Sequence, residues 1–288
     1  MKLIPNHHPE PVENITQLIT FLVRERGLTE ADLQRVVECQ RALELKLSEA
    51  LLHLGIVTAQ DLEAARRQPG AELPPESTGL ASQSLLFVRD PFHAMSEQVR
   101  ALRSELLRRQ PDAQHNRIVV VSSNSADGRS SLAASLALAC AQLGQRTLLV
   151  DADLRRPRQH ELFALPRGPG LADTLSRGIA PAVKGIQGQP QLAVLTAGEA
   201  VSNPLELLCS KPFDDLLDSW RQTYRHVIID SSAAERGADA TAVASAAGAA
   251  VVLARLDHSS LPAGTELLGR LRNAQVTLLG SVVLGAAL

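Results

Sequence analysis

Residues 118–131, IVVVSSNSADGRSS, constrain this chain more than any other stretch. Four apolar β-formers (Ile118, Val119, Val120, Val121) run into small residues, then Gly128, Arg129, Ser130 and Ser131, and then an alanine-rich helix pattern. A buried strand, a turn whose backbone N–H groups can close on an anion, and a helix N-terminus that adds its dipole together make a phosphate-binding loop. Against the pattern G-x-x-x-x-G-K-[ST], Ser123 stands at the first Gly and Gly128 at the second. Ser130 stands at the hydroxyl that reaches Mg²⁺. Arg129 occupies the lysine position. A planar, forked guanidinium is not equivalent to a point-charge ammonium placed over phosphates. The spacing therefore assigns a nucleotide-binding set of Ser123, Ala126, Asp127, Gly128, Arg129, Ser130 and Ser131, with an altered cation.

Two further segments repeat the logic of a strand that ends on a carboxylate. Thr147 to Val150 is a short, mostly apolar strand that leads into Asp151-Ala152-Asp153-Leu154-Arg155-Arg156-Pro157; Val227-Ile228-Ile229 leads into Asp230. Carboxylates at the C-terminal ends of parallel strands point into the crevice where ligands bind. Asp151 and Asp153, two apart, face one side. Asp151, Asp153 and Asp230 are the catalytic candidates, and Ser130, Asp151 and Asp230 the Mg²⁺ candidates.

From Arg117 onward strand and helix patterns alternate. Strands are expected at 118–122, 147–151, 192–196, 226–230, 249–253 and 277–283, with helices at 130–143, 203–222, 239–247 and 261–273. That order predicts an α/β fold, a doubly wound, mainly parallel sheet. Before it, Gly27-Leu28-Thr29-Glu30-Ala31-Asp32-Leu33 is echoed by Gly55-Ile56-Val57-Thr58-Ala59-Gln60-Asp61-Leu62. Each echo sets a helix-ending Gly before a Thr–Asp capping pair. Residues 1–68 thus read as a small all-α docking domain with an internal repeat. Residues 69–91, rich in Pro and Ser, read as a linker, and 92–288 as the phosphate-loop domain. A charged helix over 92–110 carries Glu97, Arg100 and Arg103 on one face.

Composition excludes other classes. A net charge of −2 gives no general pull toward nucleic acid or anionic lipid. Aromatics at 2% leave little for base stacking, so no nucleic-acid partner is expected. Three scattered cysteines, Cys39, Cys140 and Cys209, lack metal spacing and fit a reducing cytoplasm. The N-terminus lacks an apolar signal core, and the alanine-rich 240–256 stretch reads as helix then buried strand, not a membrane span.

On these motifs the chain from about Phe87 onward resembles the cytoplasmic domain of bacterial tyrosine kinases of exopolysaccharide and capsule biosynthesis, within the deviant-Walker group that includes the MinD and ParA ATPases. The resemblance rests on LLVDADLR at 148–155, Arg156-Pro157, His160-Glu161-Leu162-Phe163, Gly170-Leu171-Ala172-Asp173-Thr174-Leu175 and Asn203-Pro204-Leu205-Glu206-Leu207-Leu208. It implies ATP or ADP with Mg²⁺ as cofactors. It makes Glu97, Arg100 and Arg103 an E-x-x-R-x-x-R element that closes subunits into rings. It implies membrane polysaccharide co-polymerase or export-system proteins, or an active homologous kinase, as partners, and a cytoplasmic place at the inner membrane. The N-terminal repeat is similar to the small helical domain ahead of some such kinases and of type II secretion and pilus ATPases. In versions that bind cyclic di-GMP an Arg-Leu-Gly recurs; here those positions read Leu18-Ile19-Thr20 and Lys46-Leu47-Ser48.

The chain departs from the family at Arg129, at Ser125-Ala126-Asp127-Gly128 in place of Pro-Gly-Glu-Gly, and at Ser231-Ser232-Ala233 in place of Thr-Pro-Pro. It departs also at Leu284, where an Asn usually reads adenine. The family's phosphate-accepting tyrosines form a C-terminal cluster, whereas this sequence ends at Leu288 and holds one tyrosine, Tyr224. The expectation is a degenerate, regulatory member of the family. An active autokinase and a MinD- or ParA-like positioning ATPase are the alternatives, although the latter's extra loop lysine is replaced by Asn124.

Overall fold

The computed structural model describes residues 77–109 and 116–285, with isolated positions before them (35, 39, 50, 52–56 and 58). The chain divides into two units, Met1–Glu72 and Leu73–Leu288. The second carries the sheet. The reading of 1–68 as a repeated helical domain falls almost wholly outside the described residues.

Eight strands build one sheet: β1 (Ser77–Gly79), β2 (Asn116–Ser122), β3 (Thr147–Asp151), β4 (Lys184–Ile186), β5 (Gln189–Leu195), β6 (His226–Asp230), β7 (Ala249–Arg255) and β8 (Thr277–Leu284). Their spatial order is β1-β4-β5-β3-β6-β2-β7-β8. Every neighbouring pair is parallel except the β4–β5 hairpin. Helices cover both faces: α1 (Leu86–Arg89), α2 (Ala94–Arg109), α3 (Arg129–Ala141), α4 (Gln159–Leu162), α5 (Leu171–Arg177), α6 (Pro204–Leu208), α7 (Lys211–Trp220), α8 (Asp239–Ala247) and α9 (Leu261–Asn273). The expected doubly wound α/β architecture is the one found.

The central strands β2, β3, β6 and β7 are near-continuous apolar runs because both of their faces are buried. Ile118 and Val120 point into one core with Leu132, Leu136, Leu149 and Ile228. Val119 and Val121 point into the other with Leu148, Val150, Phe213, Leu217 and Ile229. The alanines of α3 are buried throughout and let that helix lie close on the sheet.

Three local differences from the sequence reading have physical causes. The helix expected over 203–222 is two helices, α6 and α7, with Pro212 in the first turn of the second. Proline has no N–H, and its ring collides with the carbonyl four residues back, so a continuous helix breaks there. Within the expected linker 69–91, Ser77–Gly79 pairs with β4, and Leu85 and Phe87 are buried in the core. The β4–β5 hairpin turns through Gln187-Gly188, with Gly188 at φ 74°, a turn chemistry that glycine supplies without strain.

Candidate functional site

The geometry of the site follows from strand register. Asp151 and Asp230, the last residues of β3 and β6, are partners across the ladder, and Val120 of β2 pairs with Asp230. The loop that follows β2 therefore rises beside both carboxylates. Gly128 caps α3 at φ 103°, a left-handed conformation that favours glycine. Ala126 also lies at positive φ, 62°. The loop thus keeps a left-handed bend at a residue that carries a Cβ, at a cost of roughly 1 kcal/mol.

Arg129 is 7% exposed. Its Nε donates to the Ser231 carbonyl at 3.0 Å. One terminal nitrogen, Nη1, donates to the Ser122 hydroxyl and to the Asn124 carbonyl, the latter at 2.7 Å. The guanidinium is bonded to the chain's own oxygens, bracing the loop from within. Asp127 is fully buried and ties the loop to the turn after β7. Its Oδ1 contacts His258 Nδ1 at 2.9 Å and accepts from the Ser259 hydroxyl at 2.8 Å, while Oδ2 accepts from the Asn124 N–H at 3.1 Å. The Ser123 hydroxyl donates to Asn124 Oδ1, which also accepts from the Ser260 N–H. The side chain of Ser131 lines a small cleft with Leu85, Phe87, Met95 and Val99.

The acids are deeply buried. Asp151 accepts the N–H groups of Arg158 at 3.1 Å and Gln159 at 2.9 Å on Oδ2, and that of Asp153 at 3.3 Å on Oδ1. Burial foremost, with the charge of Asp230 next, pushes its pKa well above the usual carboxylate range. Burial also raises Asp230, to about 6, against the opposing pull of Arg129 and hydrogen bonds from Ser130 and Gln159. Asp153 accepts the Arg156 N–H at 2.9 Å.

Gln159 escaped the sequence reading, because a lone Gln before His160 carries no motif. Its Nε2 donates to Asp230 Oδ2 at 2.8 Å and to the Ser130 carbonyl at 3.1 Å. Two buried oxygens here, Gln159 Oε1 and Asp230 Oδ1, have no protein partner. Such hard oxygen acceptors beside the Ser130 hydroxyl are of the type that Mg²⁺ takes, with water completing its shell. Among the described residues no group of three or more His, Cys, Asp or Glu side chains is arranged to hold a metal ion. The donor set thus fits a largely hydrated Mg²⁺ beside a phosphate and not an all-protein cage.

The interface candidates lie elsewhere, on α2. Arg100 sits 5.0 Å over the Phe87 ring, donates to the Pro91 carbonyl at 2.7 Å and pairs with Glu97. Arg103 donates to the Ala139 carbonyl at 2.8 Å, in the last turn of α3. Glu97 is exposed. Arg100 and Arg103 therefore dock α2 onto its own domain.

A mainly parallel sheet with a phosphate-type loop after β2, and with acids closing the adjacent strand β6 and the strand beyond it, β3, defines a P-loop domain of the deviant-Walker kind. Comparison with known proteins narrows this further. No family model matches the chain. The tyrosine-protein kinase YwqD of Bacillus subtilis is 30% identical over 208 residues, covering 72% of this chain and 87% of YwqD. EpsB of Ralstonia solanacearum is 33% identical over 208 residues, covering 72% of this chain but 28% of EpsB. This chain belongs to the bacterial tyrosine-kinase (BY-kinase) family of exopolysaccharide and capsule biosynthesis. The kinase domain of the Escherichia coli tyrosine kinase ETK superposes with a TM-score of 0.67 at 28% identity, covering 70% of this chain and 80% of that one. MinD from Pyrococcus horikoshii, solved with Mg-ADP, shares the fold at a TM-score of 0.50 and 19% identity, covering 59% of this chain and 70% of MinD. The matched region spans 28% of EpsB, so this chain corresponds to one part of the longer relatives.

Proposed function

We propose that this protein is a regulatory, degenerate BY-kinase that binds ATP or ADP weakly with Mg²⁺ and transfers no phosphate to itself. The observation that carries this is the placement of Arg129, whose donors go to Ser231, Ser122 and Asn124 of the same chain. Phosphoryl transfer depends almost wholly on positioning and charge stabilisation. A cation committed to loop carbonyls has fewer donors for a nucleotide's phosphates. Tyr224 is half-buried, and burial pushes its phenol pKa up, so it is a poor acceptor. When bound, a nucleotide–Mg²⁺ complex would supply the phosphoryl group; the Ser130 hydroxyl and Asp230 would hold the cation, and the backbone of 123–131 would face the phosphates.

In this reading the protein acts by docking. Its partners are membrane co-polymerase or export-system proteins, or an active kinase of the same family, met at the cytoplasmic face of the inner membrane. Residues 1–68 serve as an independent docking domain joined through a linker, and α2 serves as a ring-forming interface. No described helix is long and apolar enough to cross a membrane, so the proposed membrane association runs through partners. A second reading, an active kinase that phosphorylates another protein, draws on the Ser130, Asp151, Asp153 and Asp230 set. Incubation with labelled ATP and Mg²⁺, followed by phosphotyrosine detection, separates the two. The regulatory reading expects no label on this chain; robust label would overturn it.

A further inference from the structure

The segment after Asp230 grips the phosphate loop through a carboxylate. Glu235 Oε1 accepts the Ser125 N–H at 2.8 Å, and Oε2 accepts from Asn124 Nδ2 at 3.3 Å. The Glu235 N–H donates to the Ser123 carbonyl at 3.0 Å. Arg236 Nε donates to the Ser125 hydroxyl at 3.0 Å. Four bonds from two consecutive residues thus fix 123–125 against the 3₁₀ turn Ala234–Arg236. The opposite side of the loop is already held by Asp127 through His258 and Ser259. The loop therefore carries two carboxylates of its own on backbone N–H groups, at Asn124 and Ser125. A phosphate-binding loop works by aiming N–H groups and positive potential at an anion. An internal anion there both occupies a donor and lowers that potential. Asp127 is buried and fixed, whereas Glu235 is exposed and on a short turn, so Glu235 is the one that can leave.

We propose that Glu235 is an internal latch on the phosphate loop, an anion that must let go of Ser125 before a nucleoside triphosphate or inorganic pyrophosphate is fully held. This rests on the reading of 123–131 as a phosphate site. The latch reports whether the segment behind Asp230 is closed on the loop, and so couples phosphate occupancy to the 231–239 stretch that leads into α8.

The test is calorimetric titration of the full chain with Mg-ATP, Mg-ADP and pyrophosphate, for the wild type, Glu235→Ala and Glu235→Gln. Amide exchange at Ser125 is followed in parallel. Removing one competing hydrogen-bonded carboxylate predicts about three- to tenfold tighter ATP binding in Glu235→Ala, with a smaller gain in Glu235→Gln. The gain for ATP exceeds that for ADP, and the ligand-free Ser125 amide exchanges faster in Glu235→Ala. Unchanged or weaker ATP affinity in Glu235→Ala, unchanged exchange at Ser125, or failure of every phosphate ligand to bind that variant overturns the latch. Phosphotyrosine formation by the wild type would remove the degenerate-kinase reading while leaving the affinity ratio as the test of the latch.

Discussion

Arg129 and Ser231 stand 102 positions apart, yet the guanidinium Nε of one donates to the carbonyl of the other at 3.0 Å. The bond joins the start of α3 to the segment leaving β6. With the donations to Ser122 and Asn124 it makes Arg129 a brace across the crevice.

Removing the brace should be costly. Arg129→Ala leaves the Ser231 and Asn124 carbonyls without this donor and should lower stability by about 3 kcal/mol, since hydrogen bonds to charged groups are worth roughly 1.5–3 kcal/mol each. Arg129→Lys cannot reproduce the fork. It should also melt lower than wild type, yet bind Mg-ATP more tightly, because a single ammonium is free to turn toward phosphate. Thermal melts and nucleotide titrations of both variants check this pair of signs.

The two arginines of α2 should separate experimentally. Arg103 caps the C-terminal turn of α3, where a cation is worth roughly 0.3–1 kcal/mol, so Arg103→Ala should destabilise the domain by about that much. Arg100→Glu reverses charge beside the exposed Glu97 and should shift the species seen by light scattering toward monomer. A protein already monomeric at high concentration, and unchanged by the substitution, would count against a ring.

His226 supplies a pH signature. Burial first, then the charges of Arg225 and Arg103, depress its pKa from 6.5 to about 4, and its Nε2 lies 2.6 Å from Gln145 Oε1. The unfolded chain therefore binds more protons at this residue between pH 4 and 6.5 than the folded one. Its contribution is present in full above pH 6.5 and is lost as pH falls toward 4. At 1.36 kcal/mol per unit the loss amounts to about 3 kcal/mol. Denaturant titrations should show a smaller drop in stability on acidification in His226→Asn than in wild type. Parallel curves for the two proteins would contradict the assignment.

Much of the sheet was legible because both of its faces are buried. Strands 147–151 and 226–230 each carry three consecutive buried apolar residues before a closing Asp, and they fall where the sequence puts them. The short elements were not legible. Ser77–Gly79 and Lys184–Ile186 are three-residue strands whose pairing comes from tertiary contact and not from periodicity. The loop's residue identities were readable, but what Arg129 bonds to was not, since its acceptors are backbone carbonyls that any sequence supplies. Glu235 and Gln159 were missed for the same reason. Each acts through a position that topology, not motif, brings beside the loop.

The N-terminal reading has its own check. Residues 1–75 expressed alone should give a cooperative helical melt and bind an export-system protein but not cyclic di-GMP. A non-cooperative, unfolded fragment would refute the boundary, and micromolar binding of the dinucleotide would make the domain a second-messenger sensor.

In the proposed reading Arg129 is held by oxygens of its own chain, and the protein has no autokinase activity. The most direct measurement is a calorimetric titration of the purified full chain with ATP, with and without Mg²⁺, followed by phosphotyrosine detection on the same sample. A degenerate kinase gives weak binding that does not saturate in the micromolar range, and no phosphotyrosine. Micromolar Mg-dependent ATP binding together with phosphotyrosine on this chain would contradict it.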